Sequence, residues 1–321
     1  MAVFCRRPLR SRLFLFLALP SLFAFGQTVA NCRQTIAVNV RDGQGNFVPE
    51  LKSSSFLARL HGQPVTVLDV KPAQSPVRVV VMLDASGSMA APKLKWDTAR
   101  RLSVEMLASL PANSHVGLMV FARDVITTLD LNHSPSVIVD EIKRLDSPRS
   151  LVLPGKRTTA LLDSLVLALD LFGTAQAGDA VFIVSDGEEN RSREGFDKVK
   201  KDLMNRNVRL FFLQLREAEV LLPSMEDQAY RFKSLALASG GDALDEPGLW
   251  PWSNSRIEAA VRLIYDEIPH YYQVQLESKA GTLGNAKLEL DVIDATGRRI
   301  EGSKVAHPQK LAPCDVSQKG Q

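Results

Sequence analysis

The rhythm of apolar and polar positions changes twice along the 321 residues. From 33 to 71 there is no helical period: Gln34–Val40 alternates, Asp42-Gly43-Gln44-Gly45-Asn46 is a strong turn signal, and Phe56–Leu60 and Val65–Val70 read as strands joined at His61-Gly62. From Val77 onward, unbroken apolar runs take turns with amphipathic stretches. Val77–Asp84, Val116–Phe121, Ala180–Ser185 and Val208–Leu215 have the texture of strands buried on both faces, and Val125–Leu131 that of an edge strand. Between them, Lys93–Leu110, a stretch capped by Ser134 and running to Leu145, Ala160–Phe172, the polar Arg193–Asn205, Tyr230–Ala238 and Ile257–Ile268 carry helical spacing. After Pro269 extended patterns return at Tyr272–Leu276 and Lys287–Val292, with turn signals at 281–285 and Thr296-Gly297.

Strands that alternate with helices predict an α/β fold, a doubly wound, mostly parallel sheet with helices on both faces. The β segments before and after it come from the two chain ends and are expected to pair into one small β-sandwich-like module. The expected divisions are 1–26 (leader), 27–74 (N-terminal β segment), 75–268 (α/β domain) and 269–321 (C-terminal β segment and a tail that is loose over 307–321 apart from Cys314).

The leader changes the charge. Arg6, Arg7, Arg10 and Arg12 precede the apolar run Leu13–Phe25, with small residues at Ala24 and Gly26: the three parts of a secretory signal peptide. Cleavage is expected after Gly26, with Ala30 as the alternative, and Asn31 before Cys32 argues against a lipoprotein signal. The run is short for a membrane span and no later segment is long enough to be one. The whole chain is formally +3, but the leader holds four basic and no acidic residues, which leaves 35 basic against 36 acidic, a net of −1. No basic stripe remains to bind nucleic acid. A secreted or periplasmic location follows, and Cys32 and Cys314, near the two ends of an exported chain, are expected to pair.

The chemistry sits at the ends of apolar runs. Asp84 ends the first and is followed by Ser86 and Ser88; Asp186 ends a second; Thr158 and Thr159 open the helix at Ala160. In an open parallel sheet these points converge beyond the carboxyl ends of the strands, where ligands bind. Two carboxylates and neutral hydroxyls make a hard, oxygen-only donor set, suited to Mg²⁺ or Mn²⁺ and not to zinc or copper. Such a set satisfies few of the cation's charges, so an open position remains for an incoming carboxylate.

On these residues the stretch 77–268 resembles a von Willebrand factor type A domain, with Asp84, Ser86 and Ser88 matching its metal-ion-dependent adhesion site. The resemblance implies that both serines bind the metal directly and that Asp84 does so directly or through water. It assigns Thr159, in Thr-Ala-Leu-Leu-Asp, as the site's threonine, and Asp186, in Val-Ser-Asp-Gly-Glu-Glu-Asn, as the last aspartate, acting through a water. The metal set is therefore Asp84, Ser86, Ser88, Thr159 and Asp186. The departure is Arg157-Thr158 where the family often has glycine; a guanidinium there weakens cation binding, and Thr158 is a rival ligand. The flanks resemble exported bacterial proteins that carry strand-rich segments around such a domain.

Other features read more plainly. Glu188 and Glu189 suit a solvated rim, His115 and His133 lack partners at ligand spacing, and Trp250-Pro251-Trp252 suits packing against the β module. There is no Gly-x-Ser-x-Gly elbow, no phosphate loop and no His-Glu-x-x-His. The expected function is non-enzymatic: an exported adhesion-type module that captures an acidic group of a partner protein through a divalent cation. The alternative is a structural or assembly module of the cell envelope with a stabilising or vestigial metal site. Oligomeric state is open.

Overall fold

The computed structural model describes residues 31–74, 76–90, 93–146, 158–215, 223–244, 254–279 and 286–312. The leader, Arg157, Trp250-Pro251-Trp252 and Cys314 lie outside them. The chain begins with three strands, β1 (Asn31–Arg41), β2 (Phe56–Leu60) and β3 (Gln63–Pro72). The α/β region follows as β4 (Arg78–Asp84), α1 (Lys93–Ser109), β5 (His115–Phe121), β6 (Val125–His133), α2 (Pro135–Arg144), α3 (Leu161–Asp170), β7 (Ala180–Ser185), α4 (Phe196–Arg206), β8 (Arg209–Gln214), α5 (Pro223–Ser239), β9 (Ala243–Leu244) and α6 (Asn254–Glu267). It closes with β10 (Tyr272–Lys279), β11 (Leu288–Val292) and β12 (Lys304–Ala306).

The central sheet has six strands in the order β6-β5-β4-β7-β8-β9. All pairs are parallel except β6, which returns antiparallel along β5. Side chains of one strand alternate between the two faces, and the helices divide accordingly. Val79, Val81 and Leu83 of β4 pack with Trp96 and Leu102 of α1, Ile138 and Ile142 of α2 and Ile264 of α6. Val80 and Met82 pack with Leu165 and Leu169 of α3, Leu203 of α4 and Phe232 of α5. Each such side chain contributes about 1.5–3 kcal/mol by leaving water, so the two apolar faces hold the layers together. The chain leaves β4 toward β5 on one side and later crosses to β7 on the other. Strand order therefore reverses at the carboxyl end of β4.

The outer strands form a second six-stranded sheet, ordered β11-β2-β3-β10-β1-β12. Its neighbours are antiparallel, and β10 lies between β3 and β1, so the two chain ends are interleaved. The register from Asn31 opposite Lys279 to Val38 opposite Tyr272 places Ile36, Val38, Val274 and Leu276 in the core of this sheet. Cys32 is buried and disulfide-bonded; Cys314, its expected partner, lies outside the described residues.

Buried polar groups join the two sheets. On β1, Arg41 pairs through Nε with Glu267 Oε1 at 2.8 Å and donates to Leu263 O, while Asn39 donates to His270 O at 2.6 Å. Arg209, fully buried at the amino end of β8, donates to Glu267 O, Gly178 O and Ile268 O and stacks its guanidinium 4.3 Å from the Tyr271 ring. Among the described residues, no helix is long and apolar enough to cross a membrane.

Three expectations change. Residues 307–312 are not loose: Gln309 N donates to Ala238 O and Leu288 N to Gln309 O, both at 2.8 Å, and Pro308 and Leu311 are buried. Ser134 sits at the N-cap of α2 without capping it, because its hydroxyl lies 2.9 Å from that of Ser136. Helix α4 begins at Phe196 and not near Arg193, because the backbone N–H groups of Arg193 and Glu194 are drawn to the Asp163 carboxylate.

Candidate metal centre

Asp84 is the last residue of β4 and has no exposed surface. Its Oδ1 accepts from Ser86 N at 2.8 Å, an Asx-type turn that ends the strand, and its Oδ2 accepts from Ser185 Oγ at 2.5 Å. Ser185 ends the neighbouring β7, and its hydroxyl also receives Gly187 N at 3.0 Å. The Ser86 and Ser88 hydroxyls lie 2.9 Å apart. Asp186, 2 % exposed, follows directly after β7, with Oδ1 accepting from Glu188 N at 3.3 Å. Gly187 sits at φ +81°, and a Cβ there would stand 2.1 Å from the Gln214 amide nitrogen, which itself donates to Asp186 O at 3.1 Å. Only glycine lets the chain turn this closely.

Thr159 is held from two sides. Its N–H donates to Asn190 Oδ1 at 3.0 Å, and the next residue, Ala160, donates to Ala122 O at 2.9 Å just beyond β5. The loop after β4 is pinned to the same place by Ala85 N on Phe121 O at 2.7 Å. The loops following β4, β5 and β7 and the segment leading into α3 are thus laced together at one edge of the sheet, Asp84, Ser86, Ser88 and Asp186 lying on the loops after β4 and β7 and Thr159 on the segment before α3. Among the described residues, Thr158 Oγ1 and Thr159 Oγ1 are both buried without a hydrogen-bond partner. A buried hydroxyl left unpaired costs roughly 1–3 kcal/mol, so these two oxygens are donors in want of an acceptor or a cation.

Electrostatics point the same way. Burial, with the Asp186 charge adding to it, pushes the Asp84 carboxyl up to about 7, against the hydrogen bonds from Ser185 and Ser86. Two carboxylates in one dry pocket repel, and a cation between such groups relieves both the repulsion and the desolvation. No cluster of three or more His, Cys, Asp or Glu exists among the described residues. The donors at this edge are instead two carboxylates and several hydroxyls, an all-oxygen set of the kind hard divalent cations take.

Residues 79–189 match the von Willebrand factor type A domain. The match runs from the strand that carries Asp84 to the loop after Asp186, and leaves α4 to α6, β8, β9 and both outer strand groups outside. No curated protein matches the chain. Among solved structures the chain is similar to an aerotolerance-related membrane protein from Bacteroides fragilis, at 21% identity and a TM-score of 0.48, over 60% of this chain and 98% of that one. It is also similar to the conserved hypothetical protein BatB from Bacteroides thetaiotaomicron, at 23% identity and a TM-score of 0.46, over 60% and 98%. A third similar structure is proximal thread matrix protein 1 from the mussel byssus, with a zinc-occupied MIDAS motif, at 16% identity and a TM-score of 0.46, over 61% and 49%.

Several groups at the site do not follow from the motif. Ser185 is one, its role visible only as the hydroxyl before Asp186. Lys95, in the first turn of α1, reaches Asp186 Oδ2 with Nζ at 3.3 Å, and both side chains are buried. Glu189 is a helix cap and not a rim residue: its carboxylate accepts from Leu162 N at 2.9 Å, Ser192 N at 2.8 Å and Ser192 Oγ at 2.7 Å. This places an anion at the amino end of α3, whose own N-cap residue, Ala160, has no side chain to offer. His115 is exposed and His133 partly exposed at a strand end, away from this edge.

Proposed function

We propose that this chain is an exported, non-enzymatic binding protein of the adhesion type. In this reading Asp84, Ser86, Ser88, Thr159 and Asp186 hold Mg²⁺ or Mn²⁺, and a partner protein presents an Asp or Glu carboxylate to it. The observation that carries the reading is the convergence of two buried carboxylates with two orphaned threonine oxygens at the strand-order reversal. When bound, the cation supplies a Lewis-acidic open position for that carboxylate. The chain's own groups do the rest. Ser185 and the Ser86 N–H fix the Asp84 carboxyl, while Asn190 and Ala122 fix the threonine loop, so the oxygens face inward before any ligand arrives.

The test is thermal unfolding of the purified chain titrated with Mg²⁺. A cation that binds only the folded state at a hundredfold excess over its Kd stabilises by about 2.7 kcal/mol. That gain is expected for the native chain and is lost in Asp84→Ala; the same gain in both would remove the site.

A second reading has one observation behind it. Lys95 already places a positive charge on Asp186, which suits an envelope module whose site stands without metal. Capture of partners from an envelope extract separates the two readings. A chelator abolishes capture in the first and only shifts thermal stability in the second.

A further inference from the structure

Lys95 is an odd residue to find where it is. It stands in the first turn of α1, where the helix dipole disfavours a cation. Its side chain is 8% exposed, against the habit of lysines to keep the ammonium in water. Its neighbour Trp96 supplies the apolar packing at this point, 1% exposed in the core under the central sheet. One of the contacts that hold the Lys95 ammonium inward is Asp186, at 3.3 Å. Charge-assisted N–H···O bonds are usually about 2.7–2.9 Å long, so this contact is loose beside the 2.8 Å Arg41–Glu267 pair. A lysine ammonium is also a mobile point charge on a flexible stem, unlike the rigid guanidinium fork. Among the described residues the cradle thus contains two carboxylates, unpaired hydroxyl oxygens and one cation of the chain on a loose contact.

We propose that Lys95 is a built-in counter-ion that competes with divalent cations for Asp186 and sets the metal threshold of the site. Without metal, the ammonium offsets the Asp84–Asp186 repulsion and keeps the loops after β4 and β7 together. Binding of Mg²⁺ or Mn²⁺ requires the ammonium to swing off Asp186, so the site fills only where the cation is abundant. This inference rests on the cation reading given above.

The experiment uses the full chain and Mn²⁺, with free Mn²⁺ followed by its paramagnetic signal and folding followed by thermal unfolding. An adjacent charge moves a binding equilibrium by roughly one to three powers of ten, so Lys95→Met is expected to bind Mn²⁺ at least about tenfold more tightly than the native chain. Without metal the same variant is expected to unfold at a lower temperature, and saturating Mn²⁺ reverses the loss. Equal or weaker Mn²⁺ binding by Lys95→Met overturns the proposal. If the native chain and Lys95→Met bind equally while Asp84→Ala does not bind, the counter-ion role alone falls. If none of the three binds, the cation reading falls with it. Should Lys95→Met fail to fold, Lys95→Gln, with a polar uncharged head, is judged by the same criteria.

Discussion

The two ends of the central sheet both bury charge, and they do so in opposite ways. At the amino ends of the strands, Arg209 has three carbonyl acceptors at 2.8–2.9 Å and an aromatic ring beneath it. Arg41 beside it meets Glu267 at 2.8 Å and Asp266 at 3.3 Å. At the carboxyl ends, Asp186 has a 3.3 Å lysine contact and a 3.3 Å N–H, and two threonine oxygens have no hydrogen-bond partner among the described residues. Buried charge met at short distance by internal partners holds parts of a fold together, even though Arg209 Nε and Glu267 Oε2 find no hydrogen-bond partner among the described residues. Buried charge left short of partners is costly to the fold alone and is kept in order to meet something from outside.

The largest expected effect breaks the amino-end cluster. Arg41→Met leaves Glu267 buried without its cation, and the second oxygen of Glu267 already lacks a hydrogen-bond partner. Removing one member of a buried pair costs about 3–5 kcal/mol. Urea unfolding is expected to show that loss equally with and without Mg²⁺, because Arg41 belongs to the junction of the two sheets. A loss that Mg²⁺ repairs would mean that the two ends are not separate devices.

A smaller effect sharpens the contrast through pH. Asp84 is pushed up to about 7 from an ordinary 3.8. The folded state therefore holds a proton that the unfolded state releases near pH 4, and the metal-free chain loses this part of its stability as pH rises from about 4 to about 7. Cation binding needs the ionised carboxylate, so below pH 7 it expels the proton. The Mg²⁺ affinity then falls by up to about tenfold per pH unit on acidification. Calorimetry in two buffers of different ionisation enthalpy measures the proton release directly. Glu267 is also pushed up to about 7, by burial first and Asp242 second, and Asp179 to about 6 by burial. Asp84→Asn is thus expected to abolish the proton release on metal binding while leaving part of the metal-free pH dependence, which belongs to the other end.

The same division explains what could be read from the sequence. Unbroken apolar runs made β4, β5, β7 and β8 legible, because strands buried on both faces need no alternation to be recognised. The three-residue Lys304–Ala306 strand is too short to carry such a signal; it exists because β1 offers Asn39–Arg41 as a partner. Asp84, Ser86, Ser88 and Asp186 were visible because oxygen donors cluster where apolar runs stop. Lys95 was not, since a lysine two residues into a helix reads as solvent-facing until the fold brings Asp186 over it. Arg41 and Arg209 were equally silent: each is a cation at a strand terminus, and both reach Glu267 of α6, more than fifty residues away.

Glu189, a half-buried acid, draws the boundary between the two kinds of charge most finely. It lies three residues after Asp186, yet its oxygens are occupied by Leu162 N, Arg191 N, Ser192 N and Ser192 Oγ, so it belongs with the satisfied groups. Glu189→Gln keeps an acceptor oxygen and removes the charge at the amino end of α3, an exchange worth about 0.3–1 kcal/mol. Chemical denaturation is expected to report that small loss, and the Mg²⁺ affinity to stay within roughly threefold of native, because a neutral cap still holds Leu162 and Asn190 still holds Thr159. A tenfold fall in affinity with stability unmoved would make Glu189 a charge that the cation itself feels. Partner counting among buried acids would then no longer separate the groups that hold this fold from those held ready for a ligand.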